Sequence, residues 1–341
     1  MQKFIFRYPR FDFLILNPNP EVTVSTASNS EIPLAVTLDS FGNMLVALSS
    51  NRIGIHFPAM TQVNAASYLT RLTPGMIASL FPLGGRFGEE TKSFTTVPLP
   101  TELADIQVLV NDQPAPLFFV SPGQINFMAP TKDMPTSGNV EIQVVRKSLG
   151  QILAVGCEAR PVALNPDQTY RYGCFGQPRM DVASPALFAG PGYATGTGQI
   201  AAFNRKASDG SYYNLDSSRR PIPNGPTNQV SRGDFIEMYG TGQGPVPGAP
   251  PDGSPPTGAV PTPDKPRVIV NVSEVQPDFV LYSGLAPGLV GVWQLNVKIP
   301  DSTPPSESTG GSTLVVILHK GIPSNNPQNP GQIRTTIAVK E

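Results

Sequence analysis

The chain has 341 residues, 24 basic and 25 acidic side chains, a net charge of −1, and a charged fraction of only 14 %. That length holds two or three domains, each able to bury a core of its own. The interspersed charge offers no basic stripe to phosphates, which argues against nucleic acid, and no apolar run approaches the roughly 20 residues of a membrane-spanning helix.

Composition points to an all-β fold. Gly (32) and Pro (39) are abundant, yet 39 % of residues are hydrophobic and fall in short β-branched runs. Many short strands joined by turns and Pro-rich loops satisfy both facts. The start, Met1 to Leu16, has Lys3, Arg7 and Arg10 spread through it and does not read as a signal peptide; the expectation is either that export information lies outside this chain or that the chain is a fragment of a longer one.

In chain order, strands are expected at Glu21–Ser25, Leu34–Leu38, Asn43–Leu48, Ile106–Val110, Leu117–Val120, Gln124–Met128 and Val140–Val145. They continue at Phe235–Tyr239, Arg267–Val272, Phe279–Tyr282, Val292–Ile299, Thr313–Leu318 and Arg334–Val339. All are rich in Val, Ile, Phe and Tyr and bounded by Gly, Pro, Asn or Asp. One short helical turn is expected around Glu102–Asp105. Gly244–Pro266, dense in Pro, Gly and Ser, reads as an extended, solvated loop. Asn165–Ala183 and Ala207–Pro226 read as loop-rich connectors.

An internal repeat organises the chain. Pro74 to Phe81 opens a unit that runs through Ile106–Val110 and Pro116–Val120 to Gln124-Ile125-Asn126-Phe127, closed by Pro130. Arg232 to Tyr239 opens a second, which runs through Val268–Val272 and Phe279–Tyr282 to Gln294-Leu295-Asn296-Val297, closed by Pro300. Gln, Asn and Pro keep the same spacing in both. Two copies of one strand order imply two tandem immunoglobulin-like sandwiches, expected over 61–165 and 166–341, after a short β segment at 1–60. Alternation places Ile125 and Phe127, and Trp293, Leu295, Val297 and Ile299, on core faces. Trp293 reads as a core pin, and Gln124, Asn126, Gln294 and Asn296 on the opposite faces read as structural amide clamps to a neighbouring loop, with a ligand site as the alternative.

These residues resemble a known family. Val63-Asn64-Ala65-Ala66-Ser67-Tyr68, Pro74-Gly75, Pro98-Leu99-Pro100 and Ser121 to Phe127 look like the Solibacter-type C-terminal domain. So do Ser184 to Phe188, Tyr239 to Pro245 and Gly284 to Gly288. The resemblance spans about Thr61 to Glu341. It implies tandem Ig-like, IPT/TIG-like sandwiches in an extracellular or cell-surface setting, as in exported proteins of Acidobacteria, and brings no catalytic residues. Upstream, Leu34 to Asp39, Phe41 to Ala47 and Asn51-Arg52-Ile53 look like one blade of an NHL-type propeller. The alternative is a small extra sheet on the first sandwich.

Chemistry-bearing groups are sparse. His56 and His319 stand outside any nucleophile motif. Glu89, Glu90, Asp234 and Glu237 read as solvated surface charge rather than a carboxylate pair. Gly240-Thr241-Gly242-Gln243-Gly244 is followed by Pro245 and Pro247, which forbids the helix a phosphate loop needs; the glycines read as a sharp turn. Asp209, Asn214 and Asp216 lack the regular spacing of a calcium loop. With two Cys and two His, no metal site is expected. Cys157 and Cys174, with sixteen residues between them, read either as a disulfide or as two buried thiols. Tyr170, Tyr172, Phe175, Tyr193, Tyr212 and Tyr213 cluster near the middle. Tyr170, Tyr172, Tyr212 and Tyr213 are the candidate binding residues, against packing of the inter-domain joint.

The expected role is a non-catalytic extracellular binding or adhesion module with no cofactor and with a protein or glycan partner. The alternatives are a surface-layer or filament subunit assembling through strand edges, and an accessory domain of a larger secreted enzyme.

Overall fold

The computed structural model describes residues 33–38, 44–48, 53–56, 59–83, 85–157, 159–164, 170–174, 176–190, 197–309, 311–324 and 334–340; up to residue 56, and at 159–174 and 308–309, the description is of backbone. The fold is all-β, and helical geometry among these residues is confined to short turns such as Lys147–Leu149 and Pro277–Phe279. No helix among them is long and apolar enough to cross a membrane. The strand expected at Glu21–Ser25 lies outside the described residues.

Strands β1 (Pro33–Leu38), β2 (Met44–Leu48) and β3 (Ile53–His56) form an antiparallel meander. The first core unit follows. It is built from β4 (Ala59–Asn64), β5 (Ile77–Pro82), β6 (Ile106–Val110), β7 (Leu117–Ser121), β8 (Gln124–Met128), β9 (Ile142–Arg146) and β10 (Gln151–Cys157). Its sheet runs β7, β8, β5, β4, β10, β9, β6, with the two-residue strands Lys92–Ser93 and Gln113–Pro114 at its edges. Strand β4 is the seam. It pairs antiparallel with β5 and parallel with β10, from Ala59 opposite Val155 to Thr61 opposite Cys157. Side chains from both halves of the sheet, among them Leu80, Ile125 and Phe127 on one and Val108, Ile142 and Val144 on the other, share one core.

After β10 the chain makes a hairpin, β11 (Ala159–Leu164) with β12 (Tyr170–Cys174), which returns Cys174 opposite Ala159. Tyr170 and Tyr172 therefore sit on a strand, where alternating aromatic residues are favoured, and not on the expected loop. Their side chains, and those of Phe175 and Tyr193, lie outside the described residues. Cys157 is disulfide-bonded, and the chain has one other cysteine, Cys174.

The second unit contains β13 (Ala202–Arg205), β14 (Phe235–Thr241), β15 (Arg267–Val270), β16 (Val280–Leu285), β17 (Trp293–Lys298), β18 (Thr313–His319) and β19 (Thr335–Ile337). One sheet runs β14, β17, β16, with β13 and Ala186–Leu187 both on the free side of β14; the other runs β19, β18, β15. Both contribute to one core that includes Ile236, Trp293, Leu295, Val268, Val315 and Ile317. Core membership passes from the first unit to the second between Met180 and Leu187.

The two units share their strand order. Strand β8 lies between β5 and β7 as β17 lies between β14 and β16, and β9 lies between β6 and β10 as β18 lies between β15 and β19. Each also closes through a parallel pair, β4 with β10 and Gly198–Gln199 with β19. Ile125, Phe127, Trp293, Leu295, Val297 and Ile299 are fully buried, as their alternation requires. Each such large side chain contributes roughly 1.5–3 kcal/mol. The helical turn expected near Glu102 is absent: Ala104 and Asp105 have φ of 51° and 62°, a left-handed pair that bends Leu103 back onto Ile106.

Candidate functional site

Pairing registers the two outward faces residue by residue. In the first unit Asn126 lies opposite Ser79 on β5 and Phe119 on β7. In the second, Asn296 lies opposite Glu237 on β14 and Tyr282 on β16. Ser79 and Glu237 are thus equivalent, as are Phe119 and Tyr282. In both units the Gln donates to the Asn two residues on: Gln124 Nε2 to Asn126 Oδ1 at 2.7 Å, and Gln294 Nε2 to Asn296 Oδ1 at 2.9 Å. The amides therefore bridge along their own strand and do not clamp a loop, because side chains at i and i+2 share a face. Ser79 adds a 2.8 Å bond to Asn126 Oδ1.

Glu237 is 2 % exposed and is not the solvated charge expected from sequence. Loop 206–224 folds back over it. Arg205 on β13 donates through Nε to Glu237 Oε2 at 2.6 Å, and its other nitrogens reach Gly210 O and the Tyr212 hydroxyl. Tyr239 and Tyr212 both donate to Glu237 Oε1, the latter at 3.3 Å. The Arg205 guanidinium lies 3.9 Å from the Tyr212 ring centre, and Phe203 meets Tyr212 and Tyr239 edge-on. Burial, then Glu237, raises the pKa of Tyr212 and Tyr239, so both phenols stay protonated donors. A buried carboxylate is stable only when paired and fully hydrogen-bonded, and this one is.

Tyr213 donates to Asp234 and accepts from Ser231 N, and Asp234 also accepts from Ala207 N at 2.7 Å. Tyr212 and Tyr213 thus fasten the loop to the second unit's own face rather than to the inter-unit joint. Asp209 and Asp216 direct their oxygens to backbone N–H groups of the turns at 211 and at 218–220, while Asn214 donates to Asn228. These three groups serve the loop separately, and among the described residues no three His, Cys, Asp or Glu side chains converge on a metal position. The loop's far end is held by Asn224, which bonds Asn204 and exchanges hydrogen bonds with the backbone of Ala338.

The Pro-rich segment is exposed over 247–249, 257–259 and 263–265, as expected of a solvated loop, but its middle docks on the first unit. Asp252 accepts from Thr131 N and Oγ1 at 2.9 and 2.7 Å, and Leu99 N donates to Gly253 O at 2.8 Å. Leu99, Met128 and Val290 add a small apolar cluster spanning both units. Proline predicts an extended path but not where that path lies. The glycines before it permit contact, not only a turn. A Cβ on Gly242 (φ +87°) would fall 1.8 Å from Ser184 O, and one on Gly240 2.1 Å from Ala186 O. Thr241 between them accepts from Ile77 N and donates to Gly291 O, both at 2.9 Å, tying β14 to the start of β5.

Beneath this joint His319 is 1 % exposed, its Nε2 3.0 Å from Gln243 O and its ring 5.2 Å from that of Trp293. Burial lowers its pKa, with Lys320 adding to the effect. Trp293 Nε1 donates to Ser283 Oγ at 3.0 Å, so the core pin also carries a polar bond. A cavity of about 20 Å³, room for one water molecule, lies between Pro74, Met128, Thr131 and Gln243. Gln243 Oε1 is buried there without a hydrogen-bond partner.

Arg205, Glu237, Tyr239 and Tyr282 were not singled out from sequence as a site. The usable signal was Glu237 itself, an acid inside an apolar strand, which demands a partner if the strand is covered. Searched against known protein families and against curated proteins, the sequence matches none.

Proposed function

We propose that the chain is a non-catalytic binding or adhesion module of the extracellular space or cell surface, a tandem of immunoglobulin-like sandwiches of the Solibacter-type C-terminal kind behind a propeller-blade-like segment. The observation that carries this reading is that, among the described residues, the buried acid and the buried imidazole are both held by neighbours. Both oxygens of Glu237 are held by Arg205, Tyr212 and Tyr239, and His319 is buried against Trp293 and Gln243. Charge here fixes a loop and a joint. The disulfide at Cys157 fits an oxidising compartment.

Assembly through strand edges is less well supported. In the two core units the sheet edges at Lys92–Ser93, Gln113–Pro114, Val260–Pro261 and Ser273–Glu274 are strands of two residues each, a length that offers little template to another chain, which leaves the longer edges to the meander and the β11–β12 hairpin. The test is a binding screen of the purified chain against glycans and extracellular proteins, with light scattering at high concentration. Saturable binding by a monomer is expected. Silence in both arms overturns the recognition role, and concentration-dependent polymers would favour a surface-layer or filament subunit.

A further inference from the structure

The outward face of the second unit's β14–β17–β16 sheet carries an aromatic and amide strip that the core does not require. Tyr282 is the floor of this strip. A Cβ on Gly284 would lie 2.4 Å from the Tyr282 hydroxyl and 2.6 Å from the ring carbon bearing it, so the ring lies flat over Gly284. Its hydroxyl is fixed twice, accepting from Val260 N at 3.2 Å and donating to Leu285 O at 2.9 Å. A ring tethered in this way is pre-organised and loses little entropy when something stacks on it.

Gly284 lies opposite Gln294, and Gln294 lies opposite Tyr239. The strip therefore reads aromatic, amide, aromatic across three strands, a span of roughly 10 Å at the usual strand spacing. Within it Gln294 and Asn296 are half-buried, and their mutual bond uses only one hydrogen and one oxygen. The Asn296 Nδ2 donor and the Gln294 Oε1 acceptor remain without partners among the described residues. The first unit repeats the pattern, with Phe119 in the place of Tyr282 and the same Gln-to-Asn bond. Burial cannot explain this recurrence, because these positions point away from the core.

Charge complementarity identifies the occupant. On this face Arg205 is paired with Glu237 at 2.6 Å, and the Lys298 ammonium, two residues beyond Asn296, lies over the Phe279 ring at 4.9 Å. Between Tyr282 and Tyr239 the strip itself presents only neutral groups: an aromatic face, an amide donor and an amide acceptor. We infer that this strip binds a neutral saccharide, whose C–H face stacks on Tyr282 and whose hydroxyls pair with Gln294 and Asn296. This rests on the binding-module reading and supplies its ligand class.

The experiment titrates the full chain with neutral hexasaccharides of glucose, xylose, mannose and N-acetylglucosamine, following side-chain amide signals by NMR. One series should saturate and shift the Gln294 and Asn296 amide signals. Joint replacement Gln294→Ala with Asn296→Ala should weaken that binding about tenfold or more at unchanged Tm. Tyr282→Phe, which keeps the ring and frees its tether, should weaken it several-fold. Should the double variant fold poorly, Asn296→Asp removes the donor at constant shape and is expected to give the same loss. Hexasaccharide binding that survives these substitutions overturns the site and leaves the module reading standing. Binding confined to charged glycans or to proteins overturns the ligand class. Silence toward every ligand overturns both.

Discussion

The two units share strand order and parallel closure, yet they differ at one equivalent position. Ser79 and Glu237 occupy the same place opposite the Asn of the repeated motif. The serine, 3 % exposed and so nearly as buried as the glutamate, is satisfied by one bond to Asn126. The glutamate brings with it Arg205, two tyrosines and a loop of some twenty residues to hold them. A buried charge thus dictates structure far from its own strand, whereas a hydroxyl at the same site dictates nothing beyond its neighbour. The first unit has the opposite asymmetry in its interior. Gln62 on β4 is fully buried opposite Leu80, and neither atom of its amide has a partner.

Substitution at the equivalent positions should break the symmetry most visibly. Arg205→Ala leaves Glu237 buried and unpaired and is expected to remove about 3–5 kcal/mol from stability. Ser79→Ala should remove no more than about 1 kcal/mol. Urea unfolding of the two variants measures the gap directly, and equal losses would mean that the Arg205–Glu237 pair does not anchor the loop.

Gln62→Leu is the second test, and its sign is unusual. Replacing an unpartnered amide among Met60 and Leu80 with a hydrocarbon of similar volume should stabilise the chain by about 1–2 kcal/mol. A raised thermal midpoint supports this; a lowered one would show that the amide is satisfied in solution.

The smallest expected effect concerns pH and belongs to the second unit. Burial disfavours the imidazolium form of His319, so below the ordinary value of 6.5 the unfolded chain binds more protons than the folded one. Stability therefore declines as pH falls through that value and goes on declining until the lowered folded pKa is reached. One proton limits the slope to about 1.4 kcal/mol per pH unit. His319→Gln should flatten this part of the profile, and identical profiles for the variant and the native chain would exclude His319 as its source.

The repeat was legible because Gln, Asn and Pro punctuate equivalent strands at fixed spacing, and alternation around Trp293 and Phe127 then assigned the core. The seam strands β4 and β10 were not among the expected strands, since their pairing joins segments about a hundred residues apart and leaves no local pattern. Docking of the Pro-rich segment was hidden for the same reason: Asp252 and Thr131 are 121 positions apart. Glu237 was misread because solvation of a single carboxylate depends on what folds over it. The loop over it is held by Asn224 and Asn228, whose buried bonds no one-dimensional pattern announces.

Parallel closure also has a mechanical meaning. In the first unit the chain enters along β4 and leaves along β10, and the two strands point the same way with Ala59 to Thr61 alongside Val155 to Cys157. Tension between those two ends would slide the strands past each other, loading their hydrogen bonds together instead of peeling them one at a time. The second unit is wired alike, through Gly198–Gln199 beside Thr335–Thr336 and through Val230 beside Val339. A tether stretched from its ends would meet two such shear clamps in series.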